Sequence, residues 1–211
     1  MTRRAVLFDI GGPVDMEFAW EIAVDGAIAA SCGMEGVRVD QAMVEEASDK
    51  AVAAFAGDTY GHMIETLCGD PVTVARVRHR VEAMTGQLDA FQLRPDIDRL
   101  LRQLRQPPGL LLGARNCPWE RLEREGLADF FTRDLDLPAA DCIFVGDRLD
   151  RDIAPARAAG MATIQFRTGR WRKQRPRTEA ETPDEVVTDV AELEAAIVAL
   201  LNGPRSSSSA S

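Results

Sequence analysis

The chain has 211 residues, of which 45% are hydrophobic, and a formal net charge of -9. This length exceeds one minimal domain and falls short of two full ones, so we expect one core with an insert. The negative charge argues against nucleic acid or an anionic membrane as the main partner. No apolar run approaches the roughly 18 residues of a membrane span, and no secretory signal is evident.

Four cysteines lie far apart, without a CxxC pair or metal-ligand spacing. This distribution is typical of reduced, buried thiols, so we expect a cytoplasmic location. Residues 204–211 are serine-rich and are expected to form a disordered tail.

The chain begins with an apolar run that stops at Asp9. Ala5 to Phe8 are strand formers, and the glycines that follow Asp9 predict a tight turn after a buried strand. Between Met16 and Phe91 the apolar residues take helical spacing. We therefore predict a helical domain over 16–92, inserted into a core made of 1–15 and 93–203. Within the insert, Asp70-Pro71 predicts a capped helix start.

After the insert, short apolar runs alternate with helical stretches. The predicted strands are Leu110–Leu112, Cys142–Val145, Ala162–Phe166 and a short Val186–Val187. Alternation of this kind indicates a mostly parallel, doubly wound sheet with helices on both faces. Asn116 is placed to cap the helix that follows the second strand.

Two of the predicted strands end in an acidic residue, Asp9 and Asp147, and Asp152 follows near a helix start. A single aspartate after a strand is commonly a turn former. Two on separate buried strands indicate a site, because open parallel sheets bind ligands beyond the carboxyl ends of their strands. Converging carboxylates repel unless a cation joins them, and hard oxygen ligands suit Mg²⁺.

Two segments resemble motifs of the haloacid dehalogenase (HAD) superfamily. Phe8 to Gly12 is similar to its nucleophile motif, and Val145 to Ile153 to its acidic motif. The resemblance implies a Rossmann-like core, with the helical insert as a cap that closes over the site. It also implies that Asp9 attacks a phosphoryl group and forms an aspartyl-phosphate. Asp9, the Gly11 carbonyl, Asp147 and Asp152 would then form the Mg²⁺ site.

The sequence departs from the family pattern in three places. Gly11 stands where phosphatases of the family carry a second aspartate, a general acid and base worth about 10² to 10⁴ in rate. The stretch that ends in Arg115 and Asn116 lacks the expected Ser or Thr, so we predict that these two residues bind the substrate. One strand and a lysine-bearing helix are missing before Cys142, with Arg133 as a positional candidate for that lysine.

A basic run over 167–177 supplies further candidates, Arg172 and Lys173, for contacts with an anionic substrate. A solvated loop is the alternative reading of this run. The leading functional hypothesis is a Mg²⁺-dependent phosphatase of a small phosphorylated metabolite, with activity impaired by the missing acid. The alternative is a catalytically inactive HAD-like protein that binds a ligand or partner, and dehalogenation ranks third. The sequence leaves the substrate and the oligomeric state open.

Overall fold

The computed structural model describes residues 3–203, so the predicted tail lies outside the described residues. The chain forms two compact units. One is an α/β unit made of residues up to 16, residues 93–168 and residues from 175 onward. The other is a helical unit made of 17–92 and the short segment 169–174.

Five parallel strands form the sheet of the α/β unit, in the order β2-β1-β3-β4-β5. They are β1 (Arg4–Asp9), β2 (Leu110–Arg115), β3 (Cys142–Gly146), β4 (Ala162–Phe166) and β5 (Glu185–Val187). The predicted parallel α/β fold is confirmed. The buried first strand lies between β2 and β3, and Asp9 lies in register with Arg115 at the carboxyl edge.

Four helices accompany this sheet: α5 (Ile97–Leu104), α6 (Trp119–Arg124), α7 (Ala154–Ala158) and α8 (Val190–Asn202). Helix α5 buries Ile97, Leu100, Leu101 and Leu104, which helical spacing places on one face. A π-helical turn, Leu149–Ile153, lies between β3 and α7. Such turns are rare and occur often at functional sites.

The predicted gap in the fold is visible at β2. Between Phe131 and Cys142 the described chain forms no strand, so the sheet ends at β2. Thr132 donates one backbone hydrogen bond of 2.7 Å to Leu112. Leu135 packs against the face of the strand at Gly113, where an added Cβ would lie 2.8 Å from the leucine Cδ1.

Four helices build the helical unit: α1 (Phe18–Met34), α2 (Gln41–Ala53), α3 (Thr59–Cys68) and α4 (Pro71–Thr85). The predicted start of α4 is confirmed, because the Asp70 carboxylate accepts hydrogen bonds from the amides of Val72 and Thr73. The helices enclose an apolar core that includes Ile28, Cys32, Ala47, Met63 and Val77. Among residues 3–203, no helix has the length and apolar character of a membrane span.

The segment 169–174 belongs to the helical unit through one buried cation. Arg170 is 7% exposed. Its guanidinium donates to Ser48 Oγ at 2.7 Å and to Asp25 Oδ1 at 3.2 Å, and its Nε donates to Glu21 Oε1 at 3.2 Å. A buried charge with three partners costs far less than an unpaired one, so the segment is anchored within this unit.

Candidate active site

Three carboxylates meet at the carboxyl edge of the sheet. One oxygen from each of Asp9, Asp147 and Asp152 lies within 4.8 Å of the other two. Their exposures are 7%, 4% and 1%. The strands β1 and β3 are neighbours, so the first two acids meet because both strands end at the same edge. Buried charges of one sign are stable together only with compensating cations.

Two glycines allow this close approach. Gly12 has a left-handed backbone, with φ 81°, and an added Cβ there would lie 2.6 Å from Asp147 Oδ2. At Gly146, an added Cβ would lie 2.5 Å from the Cβ of Asp152. Side chains at either position would push the carboxylates apart, so both glycines serve the geometry of the site.

Asp152 has one satisfied and one unsatisfied oxygen. Its Oδ2 accepts a 2.9 Å hydrogen bond from the Arg148 amide, whereas its buried Oδ1 has no hydrogen-bond partner. Burial raises the pKa of Asp152, and the Arg148 amide and the Arg115 charge lower it in part. A buried oxygen without a donor calls for an explanation, and an ion is one such explanation.

The donor set at this edge fits a divalent cation. Three carboxylates supply hard oxygen atoms, and Asp152 contributes an oxygen that no protein donor uses. Mg²⁺ binds through a small number of carboxylates and retains waters, which matches this composition.

Asn116 contacts the first carboxylate directly. Its Nδ2 donates a 3.0 Å hydrogen bond to Asp9 Oδ1. The prediction that Asn116 caps the next helix is wrong, because α6 begins at Trp119 after Pro118 and no side-chain bond caps it. Asn116 instead takes a left-handed backbone, with φ 59°, which asparagine tolerates better than most residues. This turn directs its amide to the site.

Comparison with known proteins agrees with this geometry. A family model of HAD-hydrolase-like proteins matches residues 124–193, a stretch that contains Asp147 and Asp152. A predicted phosphoglycolate phosphatase from Haemophilus somnus has the same fold, with a TM-score of 0.65 and 14% identity over 93% of this chain and 99% of that one. Over residues 124–193 the chain is therefore similar to HAD-hydrolase-like proteins, and its fold is that of the solved phosphatase.

Two further proteins are similar to this chain, one in sequence and one in fold. The glyceraldehyde 3-phosphate phosphatase of Methanopyrus kandleri is 32% identical over 117 residues, or 43% of this chain and 50% of the relative. The chain therefore spans about half the length of the curated relative that it matches. YfnB of Bacillus subtilis, in a structure bound to magnesium, shares the fold with a TM-score of 0.56 and 15% identity, over 96% of this chain and 100% of that chain.

Arg115, predicted to bind substrate in place of the missing hydroxyl group, lies beside the carboxylates. Its Nη1 is 3.7 Å from Asp152 Oδ1 and donates a 3.2 Å hydrogen bond to the Arg151 carbonyl. Its guanidinium lies 5.4 Å from the ring centre of Phe144. The side chain is 42% exposed, so its charge is available at the mouth of the site.

The other predicted cations contact groups outside the three carboxylates. Arg172 and Lys173 belong to the helical unit, where Lys173 Nζ is 2.5 Å from Asp49 Oδ1 and Arg172 donates to the Gly169 carbonyl. Arg133 is exposed, 3.8 Å from Glu123, and stacks 4.2 Å from the centre of Trp119. Contact of Arg172 or Lys173 with a ligand stays a prediction.

Sequence reasoning overlooked Arg94. Its Nε donates to the carbonyls of Gly12 at 3.2 Å and Pro13 at 3.1 Å, within the turn that follows Asp9. An arginine before a proline, at the return from a long insert, resembles any solvated linker residue. No local pattern marks this arginine apart from its position.

Proposed function

We propose that the chain is a Mg²⁺-dependent phosphomonoester hydrolase that acts on a small phosphorylated metabolite through an aspartyl-phosphate on Asp9. The observation that carries the proposal is the convergence of three buried carboxylates, with Asp152 Oδ1 lacking a hydrogen-bond donor. The relative from Methanopyrus kandleri, named a phosphatase, supports the same class of reaction.

Asp9, the Gly11 carbonyl, Asp147 and Asp152 would hold the metal ion. When bound, it would offset the charge of the carboxylates and of the phosphoryl oxygens. Asp152 would act as a direct or outer ligand, since its Oδ2 is already bonded to the Arg148 amide.

Asp9 would act as the nucleophile. One of its carboxylate oxygens attacks phosphorus, the bond between phosphorus and the leaving alkoxide breaks, and the alkoxide takes a proton. Water then attacks the same phosphorus and gives a proton to solvent, and the bond between phosphorus and the Asp9 oxygen breaks, which releases phosphate and regenerates Asp9. The Asn116 amide holds Asp9 Oδ1 and so fixes the orientation of the attacking group.

The proton for the leaving group comes from solvent in this scheme, because Gly11 has no carboxyl group. General acid–base assistance accounts for about 10² to 10⁴ in rate, so we expect slow turnover. The best substrates would be phosphate esters with good leaving groups, which need little protonation.

The transferred phosphoryl group needs donors for its oxygens. Arg115 and Asn116 stand at the end of β2, beside Asp152 and Asp9, and would supply charge-assisted hydrogen bonds. Arg172 and Lys173 are proposed as further anion contacts. We expect substitutions that neutralise both residues to weaken vanadate binding, measured at low salt, where charge contacts contribute most.

The decisive experiment is a turnover screen over phosphorylated metabolites and an aryl phosphate, with Mg²⁺ and with a chelator. We expect activity only with Mg²⁺, abolished by Asp9→Asn. A flat screen, repeated at high enzyme concentration, would overturn the hydrolase and leave a ligand-binding protein. Activity that survives Asp9→Asn would exclude the covalent route.

A further inference from the structure

Arg94 has no role in the reaction proposed above, although it contacts the turn beside the carboxylates. Arg94 lies where the chain returns from the helical unit to the α/β unit. There, Asp15 and Leu93 form an antiparallel bridge. The Arg94 backbone amide donates a 2.8 Å hydrogen bond to the Val14 carbonyl. The backbone at this position is therefore fixed to the segment that follows β1.

The Arg94 side chain joins two loops at the carboxyl edge of the sheet. Besides its bonds to the Gly12 and Pro13 carbonyls, its Nη2 donates to the Gly12 carbonyl and, at 2.7 Å, to Thr168 Oγ1 after β4. The guanidinium also stacks 4.5 Å from the centre of the Phe166 ring. Only a planar, multidentate donor can make these contacts together, so lysine would not substitute for it.

The turn that Arg94 holds is the one that touches Asp147. The Gly12 α-carbon approaches that carboxylate so closely that a Cβ would lie 2.6 Å from its Oδ2. Burial lowers the pKa of Arg94, whereas the charges of Asp147 and Asp15 raise it. The arginine thus presents a partly desolvated positive charge to the acidic site. The chain has lysine only at Lys50 and Lys173.

We propose that Arg94 is a positioning residue of the acidic site, which fixes the Gly12-Pro13 turn against Asp147 and offsets the charge of that carboxylate. The inference rests on the proposed function for its catalytic consequence, because the same turn carries the Gly11 carbonyl. Its electrostatic part concerns the folded protein alone and can be tested without a substrate.

The test compares what Asp147→Asn does to the melting temperature in three backgrounds: wild type, Arg94→Lys and Arg94→Gln. All are measured with a chelator. Without the Arg94 charge, repulsion among the carboxylates is less compensated, so Asp147→Asn should raise the melting temperature more in Arg94→Gln. We expect the increase in melting temperature caused by Asp147→Asn to be about 2–4 °C larger in Arg94→Gln than in wild type. A shift of this size corresponds to roughly 1 kcal/mol at this chain length.

Arg94→Lys retains the charge and should therefore resemble wild type in this comparison. Arg102→Gln serves as the matched control, because Arg102 also stacks on an aromatic ring, 5.2 Å from the centre of Phe130, and pairs with Asp98, which is not among the grouped carboxylates. The excess should decline with added salt, as a charge interaction does. Should Arg94→Gln fail to fold, recovery of folding by Asp147→Asn is the expected result.

Equal effects of Asp147→Asn in all backgrounds would overturn the charge role of Arg94. If turnover is found in the wild type, both Arg94 variants should lower kcat by roughly 10- to 100-fold, since hydrogen bonds of charged groups contribute on this scale. Unchanged kcat would overturn the positioning role. A wild type without turnover would refute the hydrolase while the melting comparison still decides the charge role.

Discussion

The side-chain amide of Asn116 lies 3.0 Å from Asp9 Oδ1 and donates a hydrogen bond to it. The two residues come from adjacent strand ends, β1 and β2, and Asn116 reaches Asp9 because its backbone takes φ 59°. The turn after the second strand therefore orients the proposed nucleophile.

Asn116→Gly removes this hydrogen bond and accommodates the left-handed backbone, so it isolates the contribution of the amide. We expect kcat to fall by about 10- to 100-fold, the range for a hydrogen bond to a charged group. Initial rates with an aryl phosphate measure this. Asp136→Gly, at another residue of positive φ in the same unit, is the control and should retain wild-type turnover. Normal kcat in Asn116→Gly would contradict the orienting role.

Asp147→Ala and Asp152→Asn should each weaken Mg²⁺ binding by at least about tenfold, because metal sites lose at least this much when a ligand or its supporting group is removed. Isothermal calorimetry measures the affinity. Asp150→Asn is the matched control from the same loop, since Asp150 pairs with Arg148 at 2.7 Å and is not among the grouped carboxylates. Equal affinities for wild type and the two site variants would remove the proposed metal site.

Gly11→Asp introduces the carboxyl group that the family's phosphatases have at this place. If the rest of the site is sound, the rate should rise by about 10² or more. The positive φ of this turn falls on Gly12, where an added Cβ would also meet Asp147, so Gly12→Asp is the control expected to damage the site. Melting temperature must show that Gly11→Asp is folded.

A folded Gly11→Asp variant that binds Mg²⁺ and gains no activity would show that the missing acid is one defect among several. Asp9→Asn in the Gly11→Asp background must abolish any gain, because the new carboxyl group assists the same nucleophile. A gain that persists without Asp9 would place the chemistry elsewhere.

Gly113→Val should destabilise the protein, since a Cβ there lies 2.8 Å from Leu135 Cδ1 and 3.3 Å from Leu7 Cγ. Overpacking of this kind typically costs about 1–3 kcal/mol. Leu135→Ala should recover part of the loss in the double variant, because it removes the closest atoms. Chemical denaturation measures each free energy of unfolding, and strictly additive effects would contradict the contact.

Tyr60 is the one tyrosine of the chain, so the ultraviolet absorbance of tyrosinate reports on it alone. Burial raises the pKa of Tyr60 to about 12, although the nearby Arg170 charge lowers it. The folded protein therefore keeps the proton that the unfolded chain releases near 10, and stability should decline as pH rises between these values. In denaturant, the pKa of the Tyr60 hydroxyl should return to about 10. A folded protein with a midpoint at 10 would contradict the burial.

The sheet and the acidic cluster could be predicted from the sequence because each depends on local pattern. Apolar runs ending in Asp9 and Asp147 mark buried parallel strands, and neighbouring strands of such a sheet bring their ends together. The absent strand before Cys142 was also predictable, since too few residues separate it from Phe131.

Arg94 and Asn116 could not be placed in the same way. The role of Asn116 depends on one backbone angle, and a capping role was the better local expectation until φ 59° was known. Arg94 depends on side-chain hydrogen bonds with residues 74 or more positions away along the chain, including Gly12 and Thr168 in separate loops. Long-range contacts of single polar residues leave no periodic trace.

The anchoring of Arg170 limits how the protein can be dissected. Deletion of 17–92 alone would retain the segment 169–174. Arg170 in that segment would then lose its hydrogen-bond partners Glu21, Asp25 and Ser48. A cation and the buried Trp171 would then face water on the truncated product. A minimal version of the α/β unit therefore requires two cuts, with 169–174 replaced by a short polar turn, and a single deletion should yield aggregated protein.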